Sequence, residues 1–534
     1  MRSWESSGMF DIRIVGGIVV DGTGVPAEPG DLGITDGKIT AVAAPGAIPA
    51  ESAAETVDAS GRIVTPGFID LHNHADFTIH GCPEAPSQIS QGVTTLLLGN
   101  CGSSPFPAPS LDEVRHTWGH LSPVFMTEAT DAAGFLAATA ALPLEINAAF
   151  QVGFSALRRM AMGNASRPAA AEERQHMIRG VRAAAEAGVR GFSTGLIYAP
   201  GAYAQPDEVA EVVAAAAECD LLYSTHMRDE ADHVLASVRE SIDAVASTAG
   251  RLQISHLKAT DRHNYGLVSD ALTLIEQAHA RGIDVTADVY PYTASSTTLT
   301  SLLPGWSLED GRNGLPSRLA DADQRDRIRT ALADTIDGRS GAEAVVIAAV
   351  SPDGPGGYEW AVGQSLAEIG ERDGCTPAEA ALRMLAAHAG AVGIIHHSMS
   401  EDDIRAALAH PLVAVASDGH QLAAEGPGRP HPRSFGTFTR VLGHYVRDVG
   451  LLSIEEAVRK MTSLPASRMK LDDRGVLAQG MAADIAVIDL NAVADRSTYD
   501  DPWQLSAGVD DVIVGGAFAS RNGRLVRGHG GRVL

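Results

Sequence analysis

His72 and His74 stand two residues apart at the end of a short apolar run, residues 67–74. Strand side chains alternate faces, so both imidazoles point one way and Asn73 the other, a spacing that suits one metal ion. Four further runs end in related chemistry: Cys101 closes 94–101, His226 lies near the end of 221–228, His256 near the end of 251–258, and Asp418 near the end of 411–419. Imidazole with thiolate is the ligand chemistry that suits zinc. Asp418 sits in Ala416-Ser417-Asp418-Gly419. In isolation it would serve equally as a turn or helix-cap residue. Opposite a metal cluster, its carboxylate is expected to take a proton from activated water and return it to a leaving amine.

A free cysteine is most often a small buried hydrophobe, and Cys82, Cys219 and Cys375 are read that way. Cys101 differs, because the glycines of Gly99-Asn100-Cys101-Gly102 let the chain turn closely around an ion. Adjacent strand residues face opposite ways, so His396-His397 is read as structural. An anionic substrate group is best gripped by a guanidinium, or by ammonium plus hydroxyl. Tyr198, Lys258, Tyr292 and Arg433 are the candidates for substrate contact, and Arg228 is expected to orient Glu230 or the strand ends.

The elements that must position these residues are eight short apolar runs: 67–74, 94–101, 145–153, 190–198, 221–228, 251–258, 284–292 and 411–419. Ala/Glu/Arg-rich helical stretches separate most of them, the rhythm of β/α units. Eight such units predict an α/β fold, a (β/α)8 TIM-type barrel, whose reactive groups sit at the carboxyl ends of the strands. The stretch between the last two runs is too long for one crossover, so an inserted lid subdomain is expected somewhere in about 296–410. The two ends of the chain resemble each other: Ile14-Val15-Gly16-Gly17 precedes Asp21-Gly22, and Ile513-Val514-Gly515-Gly516 precedes Asn522-Gly523. Such runs read as antiparallel hairpins. The expected division is a split β-sandwich, 9–66 plus 475–534, around a catalytic barrel, 67–474.

The chain has 534 residues, 45% hydrophobic and 20% charged, the composition of a soluble globular protein. Its net charge of −25 repels phosphate backbones and anionic lipid, so neither nucleic acid nor a membrane surface is an expected partner. Four cysteines form no disulfide framework, and residues 1–8 carry no apolar leader pattern, which together predict a cytoplasmic protein.

Residues 67–74 (Gly-Phe-Ile-Asp-Leu-His-Asn-His), the later single histidines and the closing Asp418 resemble the amidohydrolase superfamily, with its split β-sandwich around a metal barrel. The stretches 91–102, 195–201, 226–230, 255–259 and 431–438 are similar to the D-aminoacylases, the N-acyl-D-amino-acid deacylases. That resemblance implies zinc-dependent hydrolysis of a linear amide in a small N-acyl-D-amino acid. It implies one tight zinc site, Cys101, His226 and His256, a weaker second site, His72 and His74, and Asp418 as the catalytic acid/base. Many superfamily members bridge two metals with a lysine on the fourth strand, where this chain has Tyr198 and no lysine. The alternatives are a cyclic-amide hydrolase of the hydantoinase or dihydropyrimidinase kind, and a metal-binding protein without catalysis.

Overall fold

The computed structural model describes residues 9–118, 127–309, 311–352 and 354–534; the leader reading of residues 1–8 lies outside them. Eight parallel strands form a ring: β1 (Phe68–Asp70), β2 (Val93–Leu98), β3 (Asn147–Gly153), β4 (Gly191–Gly195), β5 (Leu222–His226), β6 (Arg251–Ile254), β7 (Asp284–Val289) and β8 (Val413–Val415). Every residue of β2, Val-Thr-Thr-Leu-Leu-Leu, is buried, as expected of a parallel strand covered on both faces. The helices between strands lie apolar face inward. In Leu267–Ala280, Val268, Ala271, Leu272, Ile275 and Ala278 are buried, the spacing of one helical face.

The ring closes between β8 and β1 just past their ends. Asn73 and Gly419 form a parallel bridge there. Asp418 N–H donates to His72 O and His74 N–H to Gly419 O, both at 2.8 Å. The buried Asp70 carboxylate fastens this seam, accepting from Ser417 N–H and from Asn73 Nδ2, both at 2.9 Å.

After β7 the chain leaves the barrel into a three-stranded antiparallel sheet, with Val392–His396 between Ser295–Thr298 and Val345–Val350. This inserted unit has its own core, including Leu299, Leu315, Ile328, Leu332, Ile347, Leu366, Leu382 and Ile394. The chain rejoins the barrel through the helix Glu401–Ala409, which packs on Leu267–Ala280 and buries Ile404, Ala407 and Leu408.

The remaining strands form one nine-stranded sheet drawn from both ends of the chain. Phe10–Val19 pairs antiparallel with Glu28–Thr35, which pairs with Lys38–Ala43 across an Asp36-Gly37 turn. Both turn residues have positive φ, 50° and 71°, as a primed hairpin turn requires. Ile63–Pro66 joins the two halves, pairing with Phe10–Val19 on one side and Ile485–Ile488 on the other. The last hairpin, Ala517–Arg521 with Arg524–Leu525, turns at Asn522-Gly523. Ile12, Ile14, Leu32, Ile34, Ile39, Val487 and Ile513 form the buried face of this sheet. Among the described residues, no helix is long and apolar enough to cross a membrane.

Candidate active site and metal centre

The loop after β2 brings Cys101 over the barrel because its glycines allow it. Gly99 and Gly102 have φ of 82° and 72°, and a Cβ on them would come within 2.3 Å of Gln151 O and 2.5 Å of Gly195 N, so the loop is pressed against β3 and β4. Cys101 itself adopts φ 54°, His256 36° and Asp418 50°. Three non-glycine residues in the left-handed region at one mouth mark backbone strain of the kind concentrated at functional sites.

Cys101 Sγ lies 3.3 Å from His72 Nε2 and 3.5 Å from His256 Nε2. Two donor sets overlap at this sulfur, Cys101 with His226 and His256, and Cys101 with His72, His74 and Asp418; within each, the candidate ligand atoms lie within 4.8 Å of one another. Asp418 Oδ1 stands 3.3 Å from His72 Nε2 and 3.2 Å from His74 Nε2. The sequence-predicted ligands and the sequence-predicted acid/base are thus brought together.

The residues present fit a zinc ion. Both ring nitrogens of His226 are buried without a hydrogen-bond partner among the described residues, Nε2 meeting Glu230 only at 3.4 Å. Such orphaned nitrogens are costly unless something absent from the chain pairs with them. Burial alone would raise the Cys101 thiol, but His72, His226 and His256 outweigh it and hold its pKa well below the ordinary range, so it stands as thiolate. Burial also opposes charge on Asp418, yet Arg433, His256 and His72 hold its carboxyl well below the usual carboxylate range. Soft sulfur with imidazole is zinc's preferred company.

Two carboxylates that sequence reasoning did not assign hold the histidines in place. Glu230 Oε1 lies 2.9 Å from His256 Nδ1, and its Oε2 3.4 Å from His226 Nε2. Asp288 Oδ1 accepts from His256 N–H at 2.7 Å and stands 3.4 Å from His72 Nδ1. Carboxylates on the far ring nitrogen orient a ligand histidine and raise its basicity. The available signal was Glu230 four residues after His226, and an aspartate one residue before the end of β7.

The candidate substrate contacts divide. Lys258 Nζ is buried, 2.7 Å from both Glu230 Oε1 and His256 Nδ1. The ammonium is thus held at the mouth by Glu230 and beside the His256 ring. Arg433 pairs with Asp418 Oδ2 at 2.7 Å, lies over the Tyr290 ring at 4.8 Å, and donates to Ser296 O at 3.2 Å. Tyr198 packs at a tilt against His226 with ring centroids 4.8 Å apart, its Oη 3.2 Å from Thr297 Oγ1. Tyr292 is a correction. After Val289 the chain leaves the strand pleat, Tyr292 N–H donating to Tyr290 O, so strand alternation no longer governs it. Its ring packs edge-on to His431 at 5.4 Å and beneath Arg440 at 5.1 Å, and Tyr290 lines the cavity in its place. Arg228 pairs with Glu240 at 2.8 Å and does not reach Glu230. Of the adjacent histidines, His396 lines the cavity outside both donor sets, while His397 packs on Tyr499 at 4.8 Å. The whole cavity, about 1700 Å³, lies between the barrel mouth and the inserted unit.

A (β/α)8 barrel with imidazoles, a thiolate and an ionised carboxylate gathered at its closing seam defines a metal-dependent hydrolase. Residues 55–519 match the model of the amidohydrolase family. The N-acyl-D-glutamate deacylase of Alcaligenes xylosoxydans xylosoxydans is 38% identical over 97% of this chain and 96% of that relative. The D-aminoacylase of the same organism is 34% identical over 100% and 99%. A solved N-acyl-D-glutamate deacylase from Bordetella bronchiseptica, complexed with zinc and a phosphonate inhibitor, superposes with a TM-score of 0.82 at 36% identity, covering 98% of this chain and 99% of that one. The chain belongs to the amidohydrolase family and, within it, to the D-aminoacylases.

Proposed function

We propose that this protein hydrolyses the amide bond of N-acyl-D-amino acids, giving a carboxylic acid and a D-amino acid. In this reading Cys101, His226 and His256 hold the tight zinc, and His72 and His74 serve a weaker second site. The carrying observation is the seam itself, where Asp418 Oδ1, within 3.3 Å of His72 and 3.2 Å of His74, is kept anionic beside the thiolate of Cys101. A zinc ion bound there would lower the pKa of water from about 15.7 towards about 7 and polarise the acyl carbonyl. Asp418 then accepts the proton at Oδ1 and delivers it to the amine nitrogen as the C–N bond breaks. Lys258 and Arg433 hold the substrate α-carboxylate, each exchanging an internal partner, Glu230 or Asp418, for it. Tyr198 closes the other side of the site. The division into 9–66 plus 475–534 and 67–474 goes with this reading, the first unit supporting and the second catalytic.

The preference for the D-isomer is supported by the names of the full-length relatives. The absence of a lysine on β4 and in the following Leu196-Ile197-Tyr198 counts against the cyclic-amide alternative. The test is zinc analysis of the purified protein with rates on N-acetyl-D-methionine, N-acetyl-L-methionine and hydantoin. Zinc with cleavage of the D-isomer is expected. Cleavage of hydantoin alone would establish the cyclic-amide reading, and bound zinc with no cleavage would leave a metal protein without catalysis.

A further inference from the structure

The cations assigned to the α-carboxylate cluster on one side of the ring. Lys258 follows β6, Tyr290 follows β7, and Arg433 comes after β8 and lies over the Tyr290 ring. In an eight-stranded ring the strand opposite β7 is β3. The helix Phe154–Met162 begins directly after β3, and Ser155 and Arg159, four residues apart, share one of its faces. Both line the cavity.

Among the described residues, neither side chain has a partner within hydrogen-bond range. Ser155 is 3% exposed, and its Oγ has no hydrogen-bond partner among the described residues. Its N–H donates to Gly102 O at 2.9 Å, which seats it beside the Cys101 loop. The Arg159 side chain is 14% exposed, and its nearest carboxylate, Glu113 Oε1, is 3.9 Å from Nε, beyond hydrogen-bond range. Burial pulls the guanidinium pKa down, with Glu113 opposing. Among the other cations lining the cavity, Arg228, Lys258 and Arg433 each have a carboxylate at 2.7–2.8 Å; Arg339 and Arg429, in the inserted unit and the loop after β8, line it too but do not follow β3. A guanidinium carries five donors and no acceptor, and a largely buried one facing a cavity without an acceptor marks a place for an anion.

We propose that Ser155 and Arg159 form a subsite for a second carboxylate, carried at the far end of the substrate's acyl group, as in an N-succinyl amino acid. The proposal rests on the deacylase reading. With the α-carboxylate held across β6 to β8 and the scissile amide over the cluster, the acyl group extends toward β3. The Arg159 fork and the Ser155 hydroxyl then supply the donors a carboxylate needs, and Glu113 is the internal anion it displaces.

The test compares kcat/KM for N-succinyl-D-leucine, N-acetyl-D-leucine and N-acetyl-D-glutamate in the zinc-loaded parent and in Arg159→Gln, Ser155→Ala and Glu113→Gln. The succinyl-to-acetyl ratio is expected to fall about tenfold or more in Arg159→Gln and about threefold in Ser155→Ala, and to rise in Glu113→Gln, which removes a competing charge. Ser155→Ala and Glu113→Gln carry the test if Arg159→Gln does not fold. Calorimetry of N-succinyl-D-leucine binding, with each change placed on Asp418→Asn, reads the same subsite without turnover. If no substrate is cleaved, the deacylase reading fails while calorimetry still decides the subsite. An unchanged ratio and unchanged binding overturn the proposal; a loss confined to N-acetyl-D-glutamate overturns its placement on the acyl group.

Discussion

The two ends of the barrel treat buried polarity in opposite ways. At the end away from the cluster, the ionised groups have partners within the chain, although Arg468 Nε and Arg190 Nε themselves make no hydrogen bond among the described residues. Arg474 pairs with Asp484, which also accepts from Gly515 N–H at 2.7 Å and Asn147 Nδ2 at 3.0 Å. Arg468 pairs with Asp284, and Lys460 donates to His410 O and Val413 O. At the mouth, the His226 ring nitrogens, Ser155 Oγ and the Asp76 carboxylate are buried with no hydrogen bond among the described residues. One end spends its hydrogen bonds on holding the fold, while the other keeps them open for what must bind. Stability and activity should therefore be separable by substitution.

The sharpest break is Cys101→Ala, expected to remove tight zinc and reduce activity to background while leaving the apo-protein's unfolding midpoint near that of the parent. Elemental analysis with a denaturant titration checks both halves, and a collapse in apo-stability would show that the mouth also supports the fold. Arg474→Ala tests the opposite end. It leaves the buried Asp484 charge unpaired and is expected to cost about 3–5 kcal/mol of stability without altering kcat/KM. Asp418→Asn keeps shape but cannot exchange a proton at working pH, so kcat is expected to fall about 10²-fold or more with zinc retained. Restoration by added zinc would remove it from proton transfer. Glu230→Gln weakens the support of His256 and His226, and a loss of about 10–100-fold in zinc affinity is expected. The cobalt-substituted protein should show a shifted visible spectrum, a readout that a purely packing role would not move.

The smallest effect is a pH dependence away from the cluster. Burial pushes His80 and His396 from an ordinary value of 6.5 to about 4, so the folded protein keeps both neutral. With the folded pKa below the unfolded one, their contribution to stability is complete above about pH 6.5 and is lost progressively as pH falls towards about 4. Denaturant midpoints at about pH 7 and about pH 4.5 check this, and replacement of both histidines by glutamine should flatten the difference.

The convergence of His72, His74, His226, His256, Cys101 and Asp418 was legible because their types are rare in apolar runs and each falls at or just beyond the end of a barrel strand. The hairpins of the terminal sheet were legible from Asp36-Gly37 and Asn522-Gly523, whose positive φ few other pairs accept. Glu230 and Asp288 were not, since a loop glutamate and a strand-end aspartate become supports only through residues on neighbouring strands. Nor were the left-handed backbones of Cys101, His256 and Asp418, because nothing in those residue types favours that conformation. Tyr292 was misplaced because the seventh run was carried to residue 292, past Val289, where the strand ends.

The pairing of Pro66 with Ile485 has a consequence for how the chain is made. The catalytic barrel is synthesised between these two partners. At about 5–20 residues per second, the second leaves the ribosome tens of seconds after the first. During that interval Ile63–Pro66 presents an unpaired apolar edge, the kind of surface that recruits foreign strands. Chaperone demand in the cell should therefore peak late in translation, and be relieved by a circular permutant that brings the two halves of this sheet together in sequence.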